Sequence, residues 1–167
     1  MTESMPSKET AGILAQPIVP HVQLLAIELM MASSARFPEL DQRGEFNAPL
    51  RASDQVRAVY HDHDRRIIAA VQFEVNAEDE KAKLASWSAV YRLVYHVSES
   101  YLGDQINERA EAFCQTYSTA HVWPYWREHL ASQSAKMGLP TILAPILVVG
   151  ATPVIQATME DSTPRKE

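Results

Sequence analysis

The spacing of the apolar residues changes once along this 167-residue chain, and that change constrains the fold more than any other feature. From Val22 to about Ser98 apolar and polar side chains alternate, which is typical of β-strands. From Gly103 onward the apolar side chains recur every three or four residues, which is typical of a helix. Strands followed by helix predict an α+β domain whose helix packs on one face of a four-stranded antiparallel sheet.

The first predicted strand, Val22–Met31, is apolar on nearly both faces. A connection of roughly 20 residues follows, and connections of that length are uncommon in compact domains. Three more strands, centred on residues 56–61, 67–75 and 86–97, are joined by short polar turns. Short turns favour antiparallel neighbours, so we expect a meander. A strand that is apolar on both faces needs a second cover, and a partner subunit is the simplest one.

The helical part of the chain contains residues that are typical of helix starts, breaks and ends. Asp104 is positioned to cap a helix that starts near Gln105. Pro124 is expected to break or kink that helix, and Gly138 followed by Pro140 to end its second piece. Outside the domain, assigned to residues 21–150, we expect a flexible N-terminal arm over residues 1–20 and a flexible C-terminal tail over residues 151–167.

Composition excludes several classes of protein. Asp and Glu number 21 against 15 Lys and Arg, so the net charge is −6, which argues against a nucleic-acid-binding protein. A single cysteine, Cys114, excludes a disulfide framework and a zinc site made of several thiolates. The longest apolar stretch, Leu139–Ala151, is too short to span a membrane and contains two prolines. The N-terminus lacks the layout of a signal peptide, so we expect a cytoplasmic protein.

Candidate reactive residues are few. His61 and His63 share a strand face, but no third ligand has matching spacing, so we predict a charged hairpin tip and no metal. Cys114 lies beside the apolar stripe of the helix and is predicted to be a core residue. Arg127 and Glu128 are predicted to make a structural contact, in preference to an acid or anion site. No catalytic residue and no cofactor are predicted, because GxSxG and glycine-rich phosphate loops are absent.

Aromatic residues are concentrated on one strand and near the predicted helix break. For each of them a core position is one interpretation, because large aromatic side chains are usually buried. The other is an apolar groove between sheet and helix that would bind extended peptides. The alternative function is a small-molecule-binding protein or enzyme that uses this aromatic pocket with His96 or His61. The six residues concerned are Trp87, Tyr91, Tyr95, Trp123, Tyr125 and Trp126.

The C-terminal half carries two short motifs. Residues 122–128 read Val-Trp-Pro-Tyr-Trp-Arg-Glu, and Gly138-Leu-Pro is followed by Ala144-Pro145-Ile146. This pattern resembles the bacterial SecB-like chaperones, whose helix carries an aromatic-Pro-Tyr-x-Arg-Glu segment followed by a Leu-Ala-Pro stretch. The positions that match are Pro124, Tyr125, Arg127 and Glu128 in the first motif, and Pro140, Ala144 and Pro145 in the second, with one residue deleted.

The resemblance implies a homotetramer, built as a dimer of dimers, that holds unfolded polypeptides without ATP or metal. Its clients would be unfolded preproteins for export or a dedicated antitoxin. The six aromatic residues would then be the client-binding positions. SecB itself hands clients to the motor SecA through an acidic patch on the sheet. Here the corresponding strand reads Leu84-Ala85-Ser86-Trp87, without an acid, which counts against SecA as a partner.

Overall fold

The computed structural model describes residues 8–43, 46 and 48–144. A four-stranded antiparallel sheet is covered on one face by a long helix. The strands are β1 (Val22–Arg36), β2 (Leu50–His61), β3 (Arg66–Glu78) and β4 (Lys83–Val97). The helices are α1 (Lys8–Ala15), α2 (Pro38–Arg43) and α3 (Ile106–Lys136), and a 3₁₀ turn at Val19–His21 leads into β1. The α+β architecture predicted from the apolar periods is confirmed.

The strand order is β1-β4-β3-β2, so only the last three strands form a meander. The prediction that β1 is also a meander neighbour of β2 is wrong. The connection after β1 carries the chain past the end of β4, where the Phe37 backbone N–H donates to the Leu84 carbonyl at 2.9 Å. The chain then reaches the far edge of the sheet, which gives a Greek-key order. As a result β1 is an edge strand.

The alternation in β3 and β4 separates two faces as expected. The side chains of the helix-covered face are almost completely buried, while their sequence neighbours on the other face are partly or fully exposed. This alternation is what a sheet with one covered face requires. Among these buried residues are Ile67, Ala69, Val71, Phe73 and Val75 in β3, and Trp87, Ala89, Tyr91, Leu93, Tyr95 and Val97 in β4.

Helix α3 continues without a break through Pro124, so the two predicted helical pieces are one helix of 31 residues. Asp104 is not its N-cap: Gln105 occupies that position, with a φ of 59° and no side-chain capping bond. The stop at Gly138 is confirmed. Gly138 has a φ of 67°, and the backbone N–H of Leu139 donates to the Ser134 carbonyl at 3.0 Å, which is the Schellman arrangement.

The N-terminal residues differ from the expected arm from Lys8 onward. Helix α1 packs on α3, and its Ala11 and Ala15 are buried together with Ile18 of the following turn. Small side chains on one helix face allow this close approach, which the Ser, Thr and Pro content of the segment had obscured. Residues 1–7 and the predicted tail, residues 151–167, lie outside the described residues.

Helix α3 crosses the sheet diagonally. Near its start, the Gln115 side chain donates to the Val56 carbonyl of β2 at 2.9 Å. Near its end, the Arg36 guanidinium of β1 donates to the Met137 carbonyl at 2.9 Å. The helix therefore reaches only the C-terminal end of β1, and the remainder of that strand extends beyond its cover.

Candidate functional site

Five of the six aromatic residues predicted to bind clients are buried in the core. Trp87, Tyr95 and Trp126 are each 0% exposed, and Tyr91 and Trp123 are at most 4% exposed. Only Tyr125 is open to solvent, at 52%. In the described part of the chain these five rings are therefore core residues. Their part in client binding stays a prediction.

The buried rings pack against one another between the sheet and α3. Phe73 stacks on Trp126, with centroids 5.2 Å apart and ring planes 7° apart, and it meets Trp123 and Tyr91 edge to face. Burial, with a smaller contribution from the Glu128 carboxylate, raises the pKa of Tyr91 to about 12. Rings in mutual contact do not line an open pocket, so the geometry does not support the small-molecule alternative that depended on one.

A polar network lies inside this aromatic layer. The Tyr95 hydroxyl is 3.0 Å from Ser118 Oγ and 3.0 Å from His121 Nδ1. Tyr95 and Ser118 are fully buried, and desolvation raises the pKa of the Tyr95 hydroxyl and lowers the pKa of His121. The hydroxyl can donate to one neighbour and accept from the other, so the network is satisfied. Its physical effect is to fix the register of α3 on β4.

We expect the protein to lose stability as the pH falls below about 6.5, the reference value for histidine. Burial lowers the pKa of His121, and burial together with the Lys136 charge lowers the pKa of His129. The unfolded chain therefore takes up protons first, and the contribution of both histidines, complete above pH 6.5, decreases below it. Urea unfolding at pH 7.5 and 5.5 measures the loss. His121→Asn should reduce the pH dependence, and an unchanged dependence would contradict the assignment.

The other candidate reactive residues have positions without catalytic geometry. Cys114 is fully buried, and burial raises the pKa of its thiol to about 12, which confirms the prediction of a core residue. His61 and His63 are both exposed at the β2–β3 turn. Among the described residues no group of three His, Cys, Asp or Glu side chains is placed to hold a metal ion.

The motif residues connect α3 to the segment that follows it. Arg127 Nε donates to the Ala144 carbonyl at 2.8 Å, which is the structural contact predicted for this residue, although its partner is a backbone carbonyl and not Glu128. Glu128 and Pro124 are exposed on α3, and Pro140 is partly buried. Pro145 lies outside the described residues. In the described part of the chain no helix is long and apolar enough to cross a membrane.

Five of the ten large apolar side chains that are exposed among the described residues lie on β1. Two irregularities in the pairing with β4, between Leu24 and Ala26 and between Leu29 and Met31, insert an extra residue each. They bend the strand and leave it without the regular inside–outside alternation of β3. We call the exposed large apolar residues of this strand the β1 strip: Leu24, Leu25, Leu29, Met30 and Met31, exposed by 37, 49, 53, 55 and 63%.

Two residues of the β1 strip continue the apolar, helix-covered face of the sheet beyond the edge of α3, whereas Met31 is paired with Val90 and projects from the opposite face. Leu24 is paired with Tyr95 and Leu29 with Tyr91, so both lie on the helix-covered side of the sheet. The outer edge of β1 has no neighbouring strand in the described chain, and its backbone groups are therefore available to another extended segment. The arrangement can accept an extended chain through backbone hydrogen bonds and apolar contacts.

The sequence contained a signal for this surface. The two-sided apolar character of residues 22–31 indicated a strand that lacks a cover within its own chain. Five of the six aromatic residues lie in the core between the sheet and α3, and their part in client binding stays a prediction. The sequence did not indicate the path of α3, which determines how much of β1 is left uncovered.

Neither a protein-family model nor a curated protein matches the sequence. Among solved structures, the chain is similar to the Mycobacterium tuberculosis SecB-like chaperone Rv1957 in complex with a ChAD peptide from the HigA1 antitoxin Rv1956. The TM-score is 0.71 at 12% identity, over 84% of this chain and 98% of that chain. A protein of unknown function from Streptococcus agalactiae gives a TM-score of 0.46 at 7% identity, over 74% of this chain and 96% of that one.

Proposed function

We propose that this protein is an ATP-independent holdase, which is a binding protein and not an enzyme, and that it keeps unfolded polypeptides from folding or aggregating. The chain has the SecB-like α+β fold. The observation that carries the proposal is the β1 strip. Five large apolar side chains on one edge strand are more than a folded monomer usually leaves in water without a partner.

The energetics of the strip suit weak, repeated contacts. Covering a half-exposed Leu or Met contributes on the order of 1 kcal/mol, at about 25 cal/mol per Å² of apolar area. One such contact holds a client poorly, but several along one strand, repeated in several subunits, act on the same chain and raise the avidity. Apolar contacts and backbone hydrogen bonds are also tolerant of sequence, as a holdase requires. Of the six predicted aromatic contacts, Tyr125 is the one we retain as a direct contact.

The SecB-like chaperone with the same fold was solved with an antitoxin peptide, which supports a polypeptide client for this chain. We propose a dedicated antitoxin or unfolded preproteins as clients, in the cytoplasm. We also propose a homotetramer, arranged as a dimer of dimers, since several copies of the β1 strip would multiply the contacts with one client. We do not propose SecA as a partner, because Leu84-Ala85-Ser86-Trp87, the strand segment where an acidic residue is expected, contains none.

The test compares two sets of surface substitutions in the full-length protein. Leu24→Ser with Leu29→Ser removes apolar area from the β1 strip, and we expect at least a tenfold loss of affinity for an unfolded, slowly folding client, about 1.4 kcal/mol. Val59→Ser is the matched control, because Val59 is 59% exposed on the opposite edge strand, and it should leave client affinity unchanged. Light scattering reports the client complex and the subunit number together.

The outcomes separate the parts of the proposal. A wild-type protein that forms no complex with any unfolded client contradicts the holdase function. A complex that the β1 double variant retains at full affinity contradicts the assignment to the β1 strip. A tetramer, with a mass near four times 18.7 kDa, is expected for the wild type. If the double variant loses subunits as well as clients, the strip serves assembly and holding together.

A further inference from the structure

The outer face of the sheet, opposite α3, carries a row of apolar side chains that crosses all four strands. In an antiparallel sheet, residues paired directly across neighbouring strands project from the same face. The register pairs Val59 with Ile68, Ile68 with Val94, and Val94 with Ala26. None of the four is buried, and Val59 is 59% exposed. We call these four residues the apolar row.

Cationic and imidazole side chains flank the apolar row on both sides. On one side of the row, two residues before Ile68 on β3, Arg66 is paired with both His61 and His96. On the other side, two residues after Ile68, Ala70 is paired with both Arg57 and Arg92. Neither set follows from sequence proximity alone, because each is assembled from three strands by the register.

The flanks retain positive charge in a chain whose net charge is −6. Arg66 is 3.4 Å from the Asp64 carboxylate, and Arg92 pairs with Glu28, yet the two arginine side chains stay 50% and 44% exposed. Arg57 is exposed and has no ion-pair partner in the described part of the chain. The three arginines and the two carboxylates of the flanks leave a local net charge of +1, opposite in sign to the charge of the whole protein, and this favours an acidic partner.

The dimensions of this surface match a helix. Four strands about 4.8 Å apart give the apolar row a length of about 14 Å, which corresponds to about nine residues of α-helix. The two flanks are four residues apart along a strand, about 13 Å, and a helix with its side chains is about 10–12 Å wide. We propose that the outer face binds an amphipathic helix of a protein partner, with a narrow apolar stripe bordered by Asp or Glu on both sides.

The probe is a synthetic 14-residue helical peptide with a Leu stripe and Glu at the bordering positions, labelled for fluorescence anisotropy. Peptides with Lys or Gln at the same positions are its controls. We expect full-length protein to bind the Glu peptide at least tenfold more tightly than the Lys peptide, and raised salt to weaken that binding. Arg57→Glu with Arg66→Glu should remove most of the preference, and Arg57→Lys with Arg66→Lys should retain it.

The β1 double variant, Leu24→Ser with Leu29→Ser, separates this inference from the proposed function. It should bind the Glu peptide normally while losing clients, whereas Val59→Ser should weaken the peptide and leave clients unaffected. Equal affinity for the Glu and Lys peptides, no binding of the Glu peptide, or loss of its binding in the β1 double variant would each overturn the proposal. None of these results depends on whether the protein holds unfolded clients.

Discussion

Trp126→Ala should lower the free energy of unfolding by about 3–5 kcal/mol, the range for removing a large aromatic side chain from a core. Trp126 is 0% exposed, stacks on Phe73 of β3, and also contacts the His129 ring at a centroid distance of 5.8 Å. An alanine there leaves a cavity where α3 meets the sheet. Urea unfolding at one fixed protein concentration measures the loss, since oligomer stability depends on concentration.

Tyr125→Ala is the matched control for this prediction. Tyr125 is the neighbouring aromatic residue on the same helix and is 52% exposed, so its removal should change the free energy of unfolding by no more than about 0.5 kcal/mol. A similar loss in both variants, or a Trp126→Ala loss below about 1 kcal/mol, would contradict a core position for Trp126. If Tyr125→Ala keeps its stability but loses client affinity, Tyr125 is a direct contact as the motif suggests.

These two neighbours show where sequence reasoning on the aromatic residues reaches its limit. A core and a client groove call for the same residue types, so the composition of Trp123–Trp126 does not distinguish them. Alternation did predict that Trp87, Tyr91 and Tyr95 share one face, and they do. Whether α3 lies on that face or beside it is a matter of tertiary packing, because no local pattern specifies a crossing direction.

The topology of β1 illustrates a second limit. The apolar content of residues 22–31 predicted a strand without sufficient cover, and the exposures of Leu29 and Met31 agree with that. The prediction placed the strand beside β2, because neighbours in sequence are usually neighbours in a sheet. The long connection between β1 and β2 allows β1 to pair with β4. No pattern in the sequence indicates which residues of β1 are paired with which residues of β4.

The apolar row and its flanks show the consequence of that register. Arg57 and Arg92 are 35 positions apart in the sequence but lie on either side of Ala70 in the sheet. The sequence predicted that His61 belongs to a charged hairpin tip, with Arg66 following it. Only the pairing of β3 with β4 brings His96 next to them, so the chemistry of this surface depends on three strands at once.

Arg65 secures the turn from which the register of β2 and β3 begins. Its guanidinium donates to the carbonyls of Val97, Ser98 and Tyr101 at 3.2, 2.8 and 3.0 Å, which ties the β2–β3 turn to the connection between β4 and α3. Its backbone is left-handed, with a φ of 51°, a conformation that costs about 1–2 kcal/mol for a residue with a Cβ. The three charge-assisted hydrogen bonds offset that cost.

Arg65→Ala should therefore lower the free energy of unfolding by about 2–3 kcal/mol, because the hydrogen bonds are lost while the left-handed backbone remains. Arg65→Gly loses the same bonds but relieves the backbone, so it should cost about 1 kcal/mol less. Urea unfolding of both variants measures the difference. Equal losses of unfolding free energy in the two variants would show that the left-handed backbone does not affect stability. No loss in either variant would show that the three hydrogen bonds do not stabilise the protein. If both expectations hold, the hydrogen bonds of this one turn residue help to stabilise the β2–β3 pairing on which the apolar row and its basic flanks depend.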